Sequence, residues 1–397
     1  MKSVFVIPSW YPSETDPVSG IFIKNQVEAI QRYTDYNPIV ALWGQCDENL
    51  PLNRPGRLLP WMQNYRKQEN SARFVESGVN YIFHKTLSWS HRLPFGGAER
   101  ILGSVRRSLR QAIDQSGRID LIHAYVSYPA GFIASVLSQE TGIPYVITEF
   151  MGPFPFPVHC ERSGRPRKEI RDALIGSHRN IVLSEYLRDR FLELGFDEPT
   201  VIPFSVNTEL FAVGRKANDI IDVVTCSRMV VQKGVFDLLE AFEAAVKVNP
   251  RLRLTMIGDG EALPDLKQLT DKKGLSARLR FTGALNNREV AKIFSKSHFF
   301  VLASHFDTFG VVFIEALSAG LPIVGTKCGG PESFIGNQHG LLVNVKDIAQ
   351  LSYALVEMAA NYEKYDSEKI RQYAIDCFSE QAVSNSVTKQ YDAILSI

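Results

Sequence analysis

The sequence contains no long hydrophobic run. No stretch approaches the ~20 apolar residues of a membrane-spanning helix, and the apolar run near the start, VFVIP, is too short for a signal peptide. The expectation is a cytoplasmic protein that would meet a membrane only from its surface, peripherally on the inner face. The sequence also lacks an excess of charge of either sign. Its 44 Lys and Arg stand against 43 Asp and Glu, and the resulting +1 creates no global field to recruit nucleic acid. Cysteine is scarce: Cys46, Cys160, Cys226, Cys328 and Cys377 are scattered, odd in number and without zinc-ligand spacing. That argues against a disulfide framework and fits free thiols in a reducing compartment. No G-x-G-x-x-G occurs, which removes the dinucleotide fingerprint and makes a nicotinamide oxidoreductase a poor reading. Tandem repeats and low-complexity tracts are absent.

What is present is alternation. Short apolar runs such as SVFVIP, PIVALW, LIHAY, PYVITE and NIVLSE read as buried strands, with helical patterns such as IFIKNQVEAIQRY and ILGSVRRSLRQAI between several of them. The pattern restarts after about residue 205, beyond a polar linker, FSVNTELFAVGRKAND. The second series runs IDVVTCS, LRLTMIG, LRFTG, FFVLAS and PIVGT, again with helices between. A chain of 397 residues is too long for one ordinary core. The expectation is α/β: two Rossmann-like, doubly wound domains, residues 1–205 and 206–378, facing each other across a cleft. A terminal helix, 379–397, would pack back toward the first domain. In such sheets ligands lie beyond the carboxyl ends of the strands, so the residues just after each strand carry the functional information.

After IDVVTCS come Arg228 and Lys233, a planar fork and a mobile point charge that both suit phosphate oxygens; alone they could be solvated loop charges. After LRLTMIG comes Gly258-Asp259-Gly260, where paired glycines allow close backbone approach, or simply make a tight turn. After FFVLAS comes Asp307-Thr308-Phe309-Gly310, opening a helix that carries Glu315. Backbone N–H groups at a helix start attract anions, and Asp307 there could equally serve the helix dipole. Glu315 is harder to dismiss. Its neighbours Val311, Val312, Phe313, Ile314, Ala316 and Leu317 leave little solvated face, and a buried carboxylate is costly unless something binds it. Sugar hydroxyls are suitable donors. After PIVGT, Gly329-Gly330-Pro331 makes a loop over which a diphosphate could lie, or a plain turn.

The set SRMVVQKG, IGDG, FTG, DTFGVVFIEALSAGLPIVGT, GGPE and GLLV, in this order, resembles the GT-B glycosyltransferases, specifically glycosyltransferase family 4. GIFIKNQVEAI, LIHAYVSYPAG, VLSEYL and VIPFSVNTELF in the first half are similar to the same family. The resemblance implies that Glu315 hydrogen-bonds the donor's ribose hydroxyls and that Asp307, where a glutamate is usual, faces the transferred sugar. It implies that Arg228 and Lys233 neutralise the donor diphosphate, that the backbone of Phe309 and Gly310 approaches sugar and phosphate, and that Gly20 belongs to a loop closing over the phosphates. Gly258, Asp259, Gly329 and Gly330 complete the donor-binding set. Family members retain anomeric configuration without a metal, and this chain has no Asp-x-Asp pair, so no cofactor and no metal are expected. Where many relatives carry a histidine in a T-x-H segment, this chain has Thr148-Glu149-Phe150. Glu149 either takes over part of that histidine's role or merely caps the strand end. His123 is an acceptor-side candidate or a satisfied structural residue.

The implied partners are a nucleotide sugar, with a UDP-sugar favoured and a GDP-sugar possible, and a glycan or polyprenyl-diphosphate-linked acceptor in bacterial surface polysaccharide synthesis. Two basic segments of the first domain, Arg100, Arg106, Arg107 and Arg110, and Arg162, Arg165, Arg167, Lys168 and Arg171, suit an anionic bilayer surface or lipid diphosphate. Leu102, Val105, Phe154 and Phe156 among them would touch lipid. Solvated helix faces are the plainer explanation. A nucleotide-sugar epimerase on the same fold and a non-catalytic carbohydrate- or partner-binding protein are the competing readings.

Overall fold

The computed structural model describes residues 1–13, 16, 19–43, 56, 58–67, 69–87, 97–214 and 219–396. The chain divides into two compact units, Met1–Ser205 with Val383–Ile397, and Val206–Ala382. The division near the end falls inside the terminal helix, a few residues after its start, rather than at 379. Residues 215–218 of the expected linker lie outside the described residues, as does Cys46; Cys160, Cys226, Cys328 and Cys377 are free thiols.

The first unit is built on strands β1 (Lys2–Pro8), β2 (Tyr36–Leu42), β3 (Ser71–Glu76), β4 (Val79–His84), β5 (Leu121–Tyr125), β6 (Tyr145–Glu149), β7 (Arg179–Val182) and β8 (Thr200–Val201), in the spatial order β3-β4-β2-β1-β5-β6-β7-β8. All neighbours are parallel except β3, which joins β4 antiparallel at the edge. Six of the seven residues of β1 are buried, as a strand covered by helices on both faces must be. Helix α1 (Ile21–Tyr33) buries Ile23, Val27 and Ile30, one stripe at helical spacing, against β2 and β4. The terminal helix, Glu380–Leu395, adds Val383, Val387, Tyr391 and Ile394 to this same core.

The second unit holds β9 (Ile221–Cys226), β10 (Leu252–Ile257), β11 (Leu279–Gly283), β12 (Phe299–Leu302), β13 (Ile323–Thr326) and β14 (Gly340–Val343), all parallel, in the order β11-β10-β9-β12-β13-β14. Chain order across the sheet reverses between β9 and β12, the topological switch point beyond which such sheets bind ligands. Helix α7 (Val235–Val248) covers one face through Val235, Leu238, Leu239, Phe242 and Ala245. On β12, Phe300 meets the rings of Phe294 and Phe313 at 5.6 Å each. Phe313 lies on α10 (Val311–Ser318). The carboxyl end of α10 is held by Arg371, whose Nη1 donates to the Ser318 carbonyl at 2.6 Å, a cation at the negative end of a helix.

Candidate active site

The loops after β9 and β12, on either side of the switch point, carry Arg228, Lys233 and Asp307, and α10, which follows the second loop, carries Glu315. Gly234 ends the loop after β9 with φ +62, and a Cβ there would lie 1.8 Å from the Ala303 carbonyl oxygen. Only glycine lets the two loops approach this closely. The approach is fixed further by His305, whose N–H donates to the Gln232 carbonyl at 2.8 Å and whose Nε2 lies 2.7 Å from Asp237 Oδ2 at the start of α7. Sequence reading passed over His305 and Asp237. The signal was an acid in the first turn of a helix, four residues after Lys233.

Lys233 and Asp307 are brought together, with Nζ donating to Oδ2 at 2.6 Å. Their side chains are 28% and 13% exposed, so the pair is partly shielded from solvent. The other carboxylate oxygen accepts the Phe309 N–H at 3.4 Å. Asp307 is rigidly placed through its backbone: its N–H donates to Cys328 at 3.0 Å, and its carbonyl accepts from Gly330 at 2.8 Å. A Cβ on Gly330 would stand 2.4 Å from the backbone of Phe309, so the glycine permits this contact. These bonds correct one expectation. The Gly330 N–H is spent on Asp307, and the Gly329 N–H on Glu332 Oε2 at 2.9 Å, so neither faces a diphosphate.

Gly258 and Gly260 are likewise explained by packing. A Cβ on Gly258 would lie 1.9 Å from the Ser227 carbonyl oxygen, and one on Gly260 2.5 Å from that of Met229. The Met229 N–H donates to the Asp259 carbonyl at 2.9 Å. The Asp259 side chain is exposed and accepts the Gly260 N–H. The Arg228 loop is thus zipped to the loop after β10, and Arg228 itself is exposed. Among the described residues its guanidinium has no hydrogen-bond or ion-pair partner.

Glu315 lies on α10, one element after Asp307. It is half-buried, and among the described residues its carboxylate has no hydrogen-bond or ion-pair partner. Burial alone pushes it up to about 7. Burial, and then the nearby Glu315, push the Cys226 thiol up to about 12. Gly310 starts the helix with φ +83, and the amide groups that follow have the usual orphan character of a helix N-terminus. Phe309 is 3% exposed, its ring packed on Phe334 at 5.1 Å.

In the first unit the structure favours the structural alternative for two residues left open by the sequence. Glu149 is fully buried at the end of β6, where Oε2 accepts the Ser127 N–H at 2.9 Å and Oε1 those of Phe150 and Met151 at 2.9 and 2.8 Å. Burial pushes its carboxyl up and these bonds pull it part-way back. It closes off a strand end and presents nothing to a substrate. His123 is also fully buried. Its Nδ1 meets the Tyr391 hydroxyl at 2.5 Å and its Nε2 the Thr148 hydroxyl at 2.8 Å, so both ring nitrogens are used in the core and neither faces an acceptor. Burial holds it down to about 3. Beside them Val126 adopts φ +77, an outlier for a β-branched residue. Its N–H donates to Thr148 at 2.8 Å and its carbonyl accepts from Gly131 at 3.0 Å. Gly20 takes φ +73 because a Cβ would lie 2.6 Å from the Trp10 carbonyl oxygen.

A family model described as "Glycosyl transferases group 1" matches residues 206–376, and one described as "Glycosyl transferase 4-like domain" matches 65–205. The chain belongs to the family-4-like GT-B glycosyltransferases. It is 26% identical over 377 residues to a putative teichuronic acid biosynthesis glycosyltransferase, TuaC, of Bacillus subtilis, covering 90% of this chain and 88% of that one. It is 26% identical over 250 residues to the alpha-monoglucosyldiacylglycerol synthase of Acholeplasma laidlawii, covering 57% and 62%. Among solved structures it resembles Anabaena HepE in complex with UDP, with a TM-score of 0.70 at 15% identity over 99% of this chain and 100% of that one. That likeness is one of fold. As a glycosyltransferase the chain is related to enzymes of polysaccharide and glycolipid synthesis.

Of the basic residues expected at an anionic surface, several are neutralised: Arg106 by Glu140, Arg167 by Glu169, Lys168 by Asp172 and Arg171 by Glu161. Val105 and Phe154 are core residues at 1% and 4% exposure, not lipid contacts. Phe156 remains 37% exposed, near exposed Arg162 and Arg165. No described helix is long and apolar enough to cross a membrane.

Proposed function

We propose that this glycosyltransferase takes its sugar from a nucleotide-sugar donor, a UDP-sugar first, retains the anomeric configuration and needs no metal. The observation that carries the reading is Glu315: a half-buried carboxylate with no partner among the described residues, beside a switch point whose loops also bear Arg228, likewise without a partner among them, and a partly shielded Lys233. A ribose diol supplies the two donors that Glu315 lacks. The diphosphate lies toward Arg228, Lys233 and the start of α10. Negative charge grows on that diphosphate as the sugar–phosphate bond breaks, and fixed positive groups stabilise it in the transition state. Asp307 faces the sugar and favours its oxocarbenium character. Two cationic side chains and a helix terminus can do what a metal does elsewhere.

The acceptor we propose is a glycan or polyprenyl-diphosphate-linked glycan of a bacterial surface polysaccharide, met at the inner face of the membrane. TuaC, named for teichuronic acid synthesis, and the Acholeplasma lipid glucosyltransferase support this. Phe156, Val158, Arg162 and Arg165 are each exposed within one short stretch of the first unit, an apolar and basic composition of the right kind. The test is a calorimetric panel of UDP-, GDP- and ADP-sugars with chelator present, on wild type and Glu315→Ala. Binding to wild type alone supports the donor site. No binding by any donor refutes it. Product stereochemistry by NMR then tests retention, and a new sugar isomer formed without acceptor would replace transfer by epimerisation.

A further inference from the structure

We propose that the Lys233–Asp307 ion pair makes the site discriminate a loaded donor from the spent nucleoside diphosphate, with Asp307 as the specificity-determining residue. The inference rests on the donor-site reading above. In the free protein the Lys233 ammonium is bound by Asp307 Oδ2 at 2.6 Å. The two partners differ in freedom. Asp307 is pinned by its backbone to Cys328 and Gly330 and has a short side chain. Lys233 sits on a four-carbon stem after exposed Val231 and Gln232 and can swing.

A diphosphate arriving among Arg228, Lys233 and the start of α10 therefore takes the ammonium, and Asp307 stays where it is. The carboxylate, only 13% exposed, then loses its counter-charge just as an anion settles nearby. When a sugar is attached, its hydroxyls donate to Asp307 and restore the lost bonds. When the nucleotide is spent, nothing replaces Lys233. An unsatisfied, poorly solvated charge is costly, whereas a hydrogen bond to a charged group contributes about ten- to a hundredfold in affinity. The site thus holds the substrate form of the nucleotide and lets the product form go. A glutamate at this position would reach further from the same anchored backbone, so the shorter aspartate ties the carboxylate more closely to its fixed point.

The experiment is calorimetry at fixed pH and salt on wild type and Asp307→Asn, using UDP with UDP-glucose and UDP-N-acetylglucosamine, and GDP with GDP-mannose. For the base that binds, wild type should prefer one of the sugar nucleotides to the bare diphosphate by at least about tenfold. In Asp307→Asn the preference should collapse toward one, mainly because the bare diphosphate binds more tightly. Thermal unfolding confirms that the variant is folded, and Asp307→Ser replaces it if it is not. Equal preference in wild type and variant overturns the proposal while leaving the donor site standing. If no nucleotide binds wild type at all, the donor-site reading fails and this proposal fails with it.

Discussion

Glu315 gives the sharpest test, because one buried carboxyl should govern both donor affinity and stability across neutral pH. Its ordinary value is 4.5, and burial raises it to about 7. On the proposed reading a ribose diol would donate to the carboxylate, so binding should favour the ionised form. With half-ionisation near 7, about nine tenths of the free protein is ready at pH 8 and about one tenth at pH 6. Donor affinity should therefore weaken by about eight- to tenfold between pH 8 and pH 6, and binding at pH 7 should release about half a proton. Stability moves the other way. From pH 4.5 to 7 the folded protein holds a proton that the unfolded chain has released, so this group's contribution is full below 4.5 and is lost as pH rises through 7. At about 1.4 kcal/mol per pH unit the loss is ~3 kcal/mol, an upper figure because part of the residue reaches solvent. Glu315→Gln should be the more stable protein at pH 8, should show a flat profile, and should bind donor poorly. The assays are calorimetry in two buffers of different ionisation enthalpy, and urea unfolding at pH 6 and 8. The variant retains every other titrating group, so the difference between the two profiles belongs to Glu315. A wild-type donor affinity that does not change between pH 6 and 8, with no proton release, would refute the argument.

Removing Glu149 should be a folding defect rather than a catalytic one. Glu149→Ala leaves the N–H groups of Ser127, Phe150 and Met151 buried without an acceptor and should cost about 3 kcal/mol or more in urea unfolding, with donor affinity unchanged in the folded fraction. His123→Phe should remove an acid sensitivity. The neutral ring is favoured in the folded state, so its contribution is lost as pH falls below 6.5, by about 2 kcal/mol at pH 5. The variant should lose less stability than wild type between pH 7 and 5. Gly310→Ala sets a Cβ 2.6 Å from the Phe313 ring at φ +83, so it should destabilise by about 1–3 kcal/mol and weaken donor binding beyond that, because the start of α10 shifts.

The two-domain α/β organisation was legible because parallel strands buried on both faces must be apolar runs, and β1 and β12 are such runs. The edge strand β3 was not, because nearly all its residues are exposed and carry no periodic signal. Glu315 stands out in the sequence for a related reason. Glu315 contradicts the apolar stripe around it, and a contradiction that a chain tolerates marks something to be bound. For His123 and Glu149 the sequence leaves two readings open, and the structure supports the structural one. A polar residue next to a strand end looks like a reactive group whether its partners lie in a substrate or in its own protein, and here the partners are hydroxyls of Tyr391 and Thr148 and three backbone N–H groups. The glycines go the same way: of the ligand-approach and plain-turn readings of Gly258 and Gly330, the second fits, because the room is filled by Ser227 and Phe309. What separates the two groups is whether hydrogen-bonding capacity is already spent. By that measure Glu315 and Arg228 keep theirs unspent among the described residues, and on the proposed reading Lys233, lent to Asp307, is the residue a ligand must win.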